Sequence, residues 1–299
     1  MKVLTHWDTD GIVSASKLLE VVKTNEVYIP RIGSWRFSAI PQEAFGDVLY
    51  VLDYSLPDQD WVEVCKRVKD LVYIDHHPGG KPPCGKVINP AFEGKAPPSA
   101  SVVVSEYYGL PLDWRDAVAI AADLVEPEGN PIWEEIVRKK NLDKGKVKEV
   151  AALLNSCYRL YDYDCIKKYI FILKDVALDD LYNDKELWER RKRVQEMIDE
   201  LVKKAKCEKV NGIKVCFVEG PHTFTNALWK RLREGETIVV TLYDGRARVY
   251  CRGGDRDYTT LIKKLRDMGV EEVGGKVQVC SAYVRPEELE EVLTAITSQ

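Results

Sequence analysis

Three short apolar runs each end in a loop that carries acid or histidine: "KVLTHWDTDG" from Lys2, "VLYVLDYS" from Val48 and "LVYIDHHP" from Leu71. A fourth apolar stretch, "AVAIAADLVE" from Ala117, also ends on an aspartate. The pattern predicts strands over 2–5, 26–32, 48–52, 71–74 and 86–88. Amphipathic helices are predicted between and after them, over 12–23, 60–69, 99–108 and 113–124. Strand and helix in alternation imply an α/β domain with a mainly parallel sheet and helices on both faces. In such open sheets ligands sit outside the carboxyl ends of the strands, so these loops should converge on one crevice.

The crevice would hold His6, Asp8, Asp10, Asp53, Asp75, His76, His77 and Asp123. His6, Asp8 and Asp10 fall at every second residue, so an extended segment would point all three to one side. Gly11 would then let the chain turn into a helix starting at Ile12. Taken singly, Asp-Thr-Asp-Gly is a common turn and capping composition, and an aspartate after a strand is more often a turn residue than a ligand. The conjunction weighs more. Three of the chain's four histidines lie in two strand-end loops rich in aspartate. Carboxylates gathered without lysine or arginine among them repel one another and need cations. Carboxylate with imidazole suits Mn²⁺, Mg²⁺ or Zn²⁺, and a dinuclear site is the better explanation.

A chain of 299 residues makes one large domain or two ordinary ones, and a net charge of −4 gives no global basic field. The eight cysteines form no CxxC pair, which excludes a zinc knuckle and predicts reduced, mostly buried thiols of an intracellular protein. With no signal peptide and no apolar span, the expectation is a soluble, cytoplasmic protein without membrane contact. Residues 79–98, rich in Gly, Pro and Lys, form a long loop beside the histidine pair that would face substrate. Helical pattern fills 131–184. Segment 186–206 places Leu187, Val194, Met197, Ile198, Leu201 and Val202 on one face of a bridging helix with a charged, solvated opposite face. The organisation is therefore 1–184, a linker helix 185–206, and a smaller α/β domain 207–299.

In that second domain Asn211-Gly212 and Asp244-Gly245 are hairpin turn signals, and Pro286 followed by glutamates opens a terminal helix. "DGRARVYCR" alternates, placing Arg246, Arg248, Tyr250 and Arg252 on one face of a strand. Guanidiniums around an aromatic can hold phosphates and stack on a base, although a solvated sheet face would show the same alternation. Gly253-Gly254 and a Gly274-Gly275 loop are nearby candidate backbone donors for phosphate. His222, in "GPHTFTN", is expected to be structural.

In order and spacing, "HWDTDG", "LDYS", "DHH" and "AIAADL" resemble the four N-terminal motifs of the DHH phosphoesterases. "GRARVYCRGGD" and the glycine pair of "VGGKVQV" resemble the accessory DHHA1 domain. The resemblance covers most of the chain and is closest to compact archaeal RecJ-like nucleases. It implies two divalent ions, Mn²⁺ preferred or Mg²⁺. Their ligands would be Asp8, Asp10, a bridging Asp53, His76 and Asp123, with His6 either ligating the first ion or lying beside it. His77 would sit at the scissile phosphate, with Asp75 orienting its neighbours. Asn89, Arg248, Arg252, Gly274, Gly275 and Lys276 would contact substrate. Where many family nucleases carry a third glycine and a histidine, this chain has Lys276 and Val277. The implied activity is a two-metal phosphodiesterase, most simply an exonuclease on single-stranded DNA, RNA or short oligonucleotides. The alternatives are a phosphatase for phosphoadenosine compounds or cyclic dinucleotides, and a non-catalytic repair or replication scaffold. A DNA-repair helicase partner and a homo-oligomer are the assemblies the resemblance allows.

Overall fold

The structure, a computed structural model, describes residues 1–124, 126–253, 256–270 and 272–298, without the side chain of Lys276. The chain divides into two compact units, Met1–Lys192 and Arg193–Gln299. The first opens with β1 (Lys2–Thr5), α1 (Thr9–Val21), β2 (Val27–Tyr28), β3 (Gly46–Leu52), α2 (Asp58–Cys65), β4 (Val68–Ile74) and β5 (Lys86–Ile88). The five strands form a wholly parallel sheet in the order β2-β1-β3-β4-β5. From β1 the chain adds a strand on one side, then builds outward on the other, which with right-handed crossovers puts connections on both faces. The order reverses between β1 and β3, the place where such sheets bind ligands.

The register fixes what stands there. Thr5 pairs with Leu52, Leu52 with Ile74 and Ile74 with Ile88, so four strands stop level. One ladder step further, His6 N–H donates to the Leu52 carbonyl, Asp53 N–H to Ile74 and Asp75 N–H to Ile88. His6, Asp53, Asp75 and Asn89 therefore begin their loops in one row.

Helices α3 (Ala100–Tyr108) and α4 (Trp114–Asp123) follow, then α5 (Pro131–Lys139), α6 (Lys144–Arg159), α7 (Tyr163–Ile172), α8 (Leu178–Tyr182) and α9 (Lys185–Lys204). The core joins the sheet's Val3, Leu4, Leu49, Val51, Leu71 and Tyr73 to residues of these helices. The division between the two units falls inside α9. A fully buried Lys17 on α1 ties three helices together: its ammonium donates to Ser105 Oγ on α3, to the Pro111 carbonyl (each 2.9 Å) and to the Asp116 carboxylate on α4.

The second unit contains a six-stranded sheet built from β6 (Lys206–Val210), β7 (Ile213–Glu219), β8 (Thr237–Tyr243), β9 (Arg246–Arg252), β10 (Glu272–Lys276) and β11 (Val279–Val284). Its order is β10-β11-β9-β8-β7-β6, all antiparallel except β7 with β8. Helices α10 (Thr225–Leu232), α11 (Tyr258–Asp267) and α12 (Leu289–Thr297) complete it. Asn211-Gly212 and Asp244-Gly245 both have positive φ and close tight hairpins, as their composition predicts. Among the described residues no helix is long and apolar enough to cross a membrane.

Several expectations need correction. The strand predicted over 26–32 is only Val27–Tyr28, and the helix predicted over 60–69 ends at Cys65 because Val68 already pairs with Gly46. Gly274 and Gly275 lie within edge strand β10 rather than in a loop, and Gly254 lies outside the described residues. The cysteines are not all reduced. Cys65 bonds Cys84, Cys157 bonds Cys165 and Cys207 bonds Cys216, leaving buried Cys251 and Cys280 free. Strand register makes Cys207 and Cys216 partners, and the short turn between α6 and α7 brings Cys157 to Cys165; spacing alone shows neither. Disulfides in this number belong to oxidising compartments or to intracellular proteins of hyperthermophiles, so the reduced-thiol argument for a cytoplasmic location falls.

Thiol titration of denatured protein without reductant should find two reactive cysteines per chain, and a count of eight would refute the pairings. Lys17→Met should cost about 3–5 kcal/mol of stability by leaving Asp116 buried without its cation. Denaturant titration should show Lys17→Met with Asp116→Leu recovering most of that loss; an uncorrected double variant would mean the pair does not hold the helices.

Candidate metal centre

The helix expected to start at Ile12 begins at Thr9, and this changes how the first loop works. Asp8 is the N-cap of α1, its Oδ1 accepting the Gly11 N–H at 3.1 Å, and Asp10 lies in the first turn. The convergence of His6, Asp8 and Asp10 thus comes from a capping turn and not from an extended segment. Gly11 is required by close approach: a Cβ there would come within 2.3 Å of the His6 carbonyl oxygen. The turn is braced by Thr9, whose N–H donates to Asn155 Oδ1 and whose hydroxyl donates to the Ala151 carbonyl of α6.

Two sets of ligand atoms result. In the first, His6 Nδ1 lies 2.9 Å from Asp8 Oδ1 and 3.7 Å from Asp53 Oδ2. In the second, His76 Nε2 lies 3.1 Å from Asp123 Oδ2 and 3.7 Å from Asp10 Oδ2. Asp53 joins them, since its other oxygen, Oδ1, is 3.6 Å from His76 Nε2. Each set lies within the span that one cation could bridge. Asp53 has φ 52°, the left-handed region, which aspartate enters more readily than most residues.

The imidazoles are oriented by their other nitrogens. His76 Nδ1 lies 3.1 Å from the Pro97 carbonyl and must donate to it, so a neutral His76 turns the Nε2 lone pair toward three carboxylates. Lone pairs facing carboxylate oxygens are what a divalent cation would satisfy. His6 Nδ1 and Asp53 Oδ1, both buried without a hydrogen bond among the described residues, fit the same conclusion. His77 Nδ1 is 2.8 Å from Asp75 Oδ1, leaving Nε2 on a side chain that is 35% exposed. The same Asp75 oxygen accepts the N–H groups of His76 and His77, and Tyr73 Oη donates to Asp75 Oδ2 at 2.6 Å. Asn89 is buried; it donates to the His77 carbonyl and accepts from Ala91 N–H, so it holds the histidine loop.

Sequence reading missed the N-terminus of α3. The Ala100 and Ser101 N–H groups donate to the two oxygens of Asp10 at 2.6 and 3.0 Å, placing that carboxylate at the positive end of a helix. Ser99, the N-cap of α3, is the one sequence signal for it.

Burial, then the charges of Asp123 and Asp8, pushes Asp10 well above the usual carboxylate range. Asp53 is pushed well above it too, by burial and then by Asp10, Asp8, Asp75 and Asp123. Asp8 behaves oppositely: burial raises it, but His6 and the Gly11 N–H pull it to a net lowering. For Asp75, burial is overcome by His77, His76 and the Tyr73 hydroxyl, which hold it far below the usual range.

Residues 1–126 match the profile of the DHH family, N-terminal domain. The likeness to that family is carried by this segment of the 299-residue chain. Among solved structures, the chain is similar to RecJ from Thermus thermophilus in complex with Mn²⁺. The identity is 17% over 99% of this chain and 51% of that one, with a TM-score of 0.62, so the chain spans about half the length of that RecJ. A DHH domain of a member of the s1p family of ribosomal proteins is 16% identical over 99% of this chain and 85% of that one, with a TM-score of 0.68. A pGpG-specific phosphodiesterase from Vibrio cholerae is 13% identical over 100% of this chain and 98% of that one, with a TM-score of 0.52. At these identities the likeness establishes the fold. No curated protein matches the chain.

A carboxylate raised on folding binds more protons in the folded chain than in the unfolded one. Its effect is that stability falls as pH rises from the unfolded value, about 4, toward the folded one. The depressed Asp8 and Asp75 lose their contribution only below about pH 4, so the window from there toward neutrality belongs to Asp10 and Asp53. Mn²⁺ should relieve that loss. Its gain in melting temperature should be larger near pH 7.5 than near pH 5.5, and calorimetric titration in buffers of different ionisation enthalpy should show net proton release. A metal-induced gain that does not vary with pH would contradict this assignment.

Proposed function

We propose that the chain is a two-metal phosphodiesterase that removes nucleotides from single-stranded nucleic acid or short oligonucleotides. The observation that carries the reading is the sharing of Asp53 between two carboxylate–imidazole sets at the switch point of the sheet. His6, Asp8 and Asp53 would hold one divalent ion, and Asp10, His76, Asp123 and Asp53 the other, with Mn²⁺ matched to the mixed donor set. Such a pair supplies charge neutralisation and a nucleophile at neutral pH when bound. The ligand set is complete, which favours an enzyme over a non-catalytic scaffold.

The chain's own residues do the rest. Asp75 fixes His77 with Nδ1 protonated, so the half-exposed Nε2 is the atom turned to a phosphodiester. From there it can hydrogen-bond a phosphoryl oxygen or pass a proton to the departing oxygen. Asn89 and the Tyr73–Asp75 bond keep that loop in place.

In the second unit Arg246, Arg248, Tyr250 and Arg252 share a face of β9, with Tyr250 buried and the arginines half-buried. Arg248 donates to Ser281 Oγ and to the His222 carbonyl, while Arg252 donates to Tyr250 Oη and lies over the Trp229 ring. These contacts make it an ordered basic–aromatic face. Together with Gly274, Gly275 and Lys276 on edge strand β10, one strand beyond β11, it is the surface we assign to the polymer.

Labelled single-stranded DNA, RNA and short oligonucleotides should be shortened with Mn²⁺ and left intact in chelator. Asp53→Asn should lower turnover at least a thousandfold, an order of magnitude set by loss of the shared ligand, with an unchanged circular dichroism spectrum. Arg252→Ala should raise KM for oligonucleotides and flatten its salt dependence by about one counterion, while sparing a small activated phosphodiester. Near-normal turnover in folded Asp53→Asn would place the chemistry elsewhere.

A further inference from the structure

A groove of about 680 Å³ opens on the first unit where the segment after edge strand β2 meets α7. Arg31, Ser38 and Glu43 line it from that segment, Tyr163 and Lys167 from α7, and Tyr28 from β2 itself. Tyr163 and Lys167 are four residues apart and so share a face of the helix. The segment is moored to that helix by the Ile32 N–H, which donates to Tyr163 Oη at 3.0 Å.

The groove carries two cations without acids of their own. Arg31 and Lys167 are exposed, and among the described residues neither side chain has an ion pair or a hydrogen bond. Lys168, the next residue of α7, shows the contrast, since its ammonium is bound by Glu186. Glu43 is the only acid lining the groove. Tyr163 Oη already accepts from Ile32, which leaves its own hydrogen for another acceptor, and Ser38 adds a second hydroxyl. One small ion would need donors converging in an enclosed site. Separated cations and hydroxyls along an open groove instead suit an anion whose charges are spaced, and aromatic Tyr28 and Tyr163 suit one that also carries bases.

The same segment leads to the metal centre. Four residues beyond Arg31, half-buried Trp35 packs its ring 5.2 Å from that of Trp7 and 6.1 Å from that of His6. Four residues span at most about 14 Å of chain, so the groove begins within that reach of the aromatic group beside the first ligand set.

We propose that this groove carries the phosphate backbone of a single strand beyond the nucleotides held at the metal centre. The proposal rests on the phosphodiesterase reading and deepens it by naming the substrate class as a polymer, because a dinucleotide held at the metals would leave the groove empty.

The test is fluorescence anisotropy of the full chain with phosphorothioate-linked single strands, one a dinucleotide and one of about 15 nucleotides. Arg31→Ala with Lys167→Ala should weaken the long strand roughly tenfold at low salt. Its log–log salt dependence should flatten by about 1.4, at roughly 0.7 for each phosphate contact on a single strand. Dinucleotide affinity should not change, which also reports that the variant is folded. Glu43→Gln, which removes the opposing charge, should tighten the long strand alone. An unchanged salt dependence in the double variant would overturn the proposal, and so would an equal loss for both lengths. Poly-glutamate of matched length binding wild type as tightly as the long strand would assign the groove to an acidic peptide and overturn it too. Length-dependent binding with no hydrolysis of any diester would sink the phosphodiesterase reading alone, whereas hydrolysis with no length dependence of affinity would sink only this one.

Discussion

Four parallel strands ending level is the constraint on which the N-terminal unit depends. Because Thr5, Leu52, Ile74 and Ile88 share a register line, the next residues enter their loops side by side. A slip of one residue in any strand would turn its side chains to the opposite face and withdraw its loop from the row. The apolar interior of β1, β3 and β4 prevents that slip, since Val3, Leu49, Val51, Leu71 and Tyr73 would leave the core together. Burial of the sheet thus sets the positions of Asp53 and His76 to within a fraction of a residue.

Crowding of negative charge is the opposing force. Asp8, Asp10, Asp53, Asp75 and Asp123 meet at one end of the sheet, and the fold answers each differently. Asp10 faces the N–H groups that open α3, and Asp75 is ringed by N–H groups of its own loop and the Tyr73 hydroxyl. Asp53 receives no hydrogen bond at Oδ1 among the described residues and, like Asp10, is pushed well above the usual carboxylate range. The buried Lys17–Asp116 pair lies on the same helices, α1 and α4, that carry Asp10 and Asp123. An ion pair of that kind adds little net stability against an apolar replacement, but it allows only one relative placement of the helices it joins.

What could be read in the sequence follows from where chemistry is encoded. The ligand loops are contiguous motifs at the ends of apolar runs, so His6, Asp8, Asp10, Asp53, His76 and Asp123 could be named in advance, and the structure brings them together. The start of α1 could not, because Thr9 and Asp10 are poor helix formers whose placement is settled by the Asp8 cap and by Asn155, far along the chain. The Ala100 and Ser101 N–H groups were invisible for another reason: backbone donors have no residue signature. Cysteine pairing depends on which elements become neighbours, so Cys65 and Cys84, 19 residues apart, carry no local sign of their bond.

The backbone at Asp53 links these threads. A non-glycine residue at positive φ costs on the order of 1 kcal/mol or more and persists only where its surroundings overdetermine it. Here the N–H is fixed by Ile74 before the chain turns, and buried Tyr54 follows immediately, its hydroxyl held by the Ser34 carbonyl at 2.7 Å. The turn swings the carboxylate out of the strand direction, so that one oxygen faces His6 and the other His76. An ordinary extended residue at the end of β3 would continue the pleat and favour one set over the other. The local strain is therefore the means by which a single side chain serves both sets, and the sheet register supplies the rigidity that keeps it there.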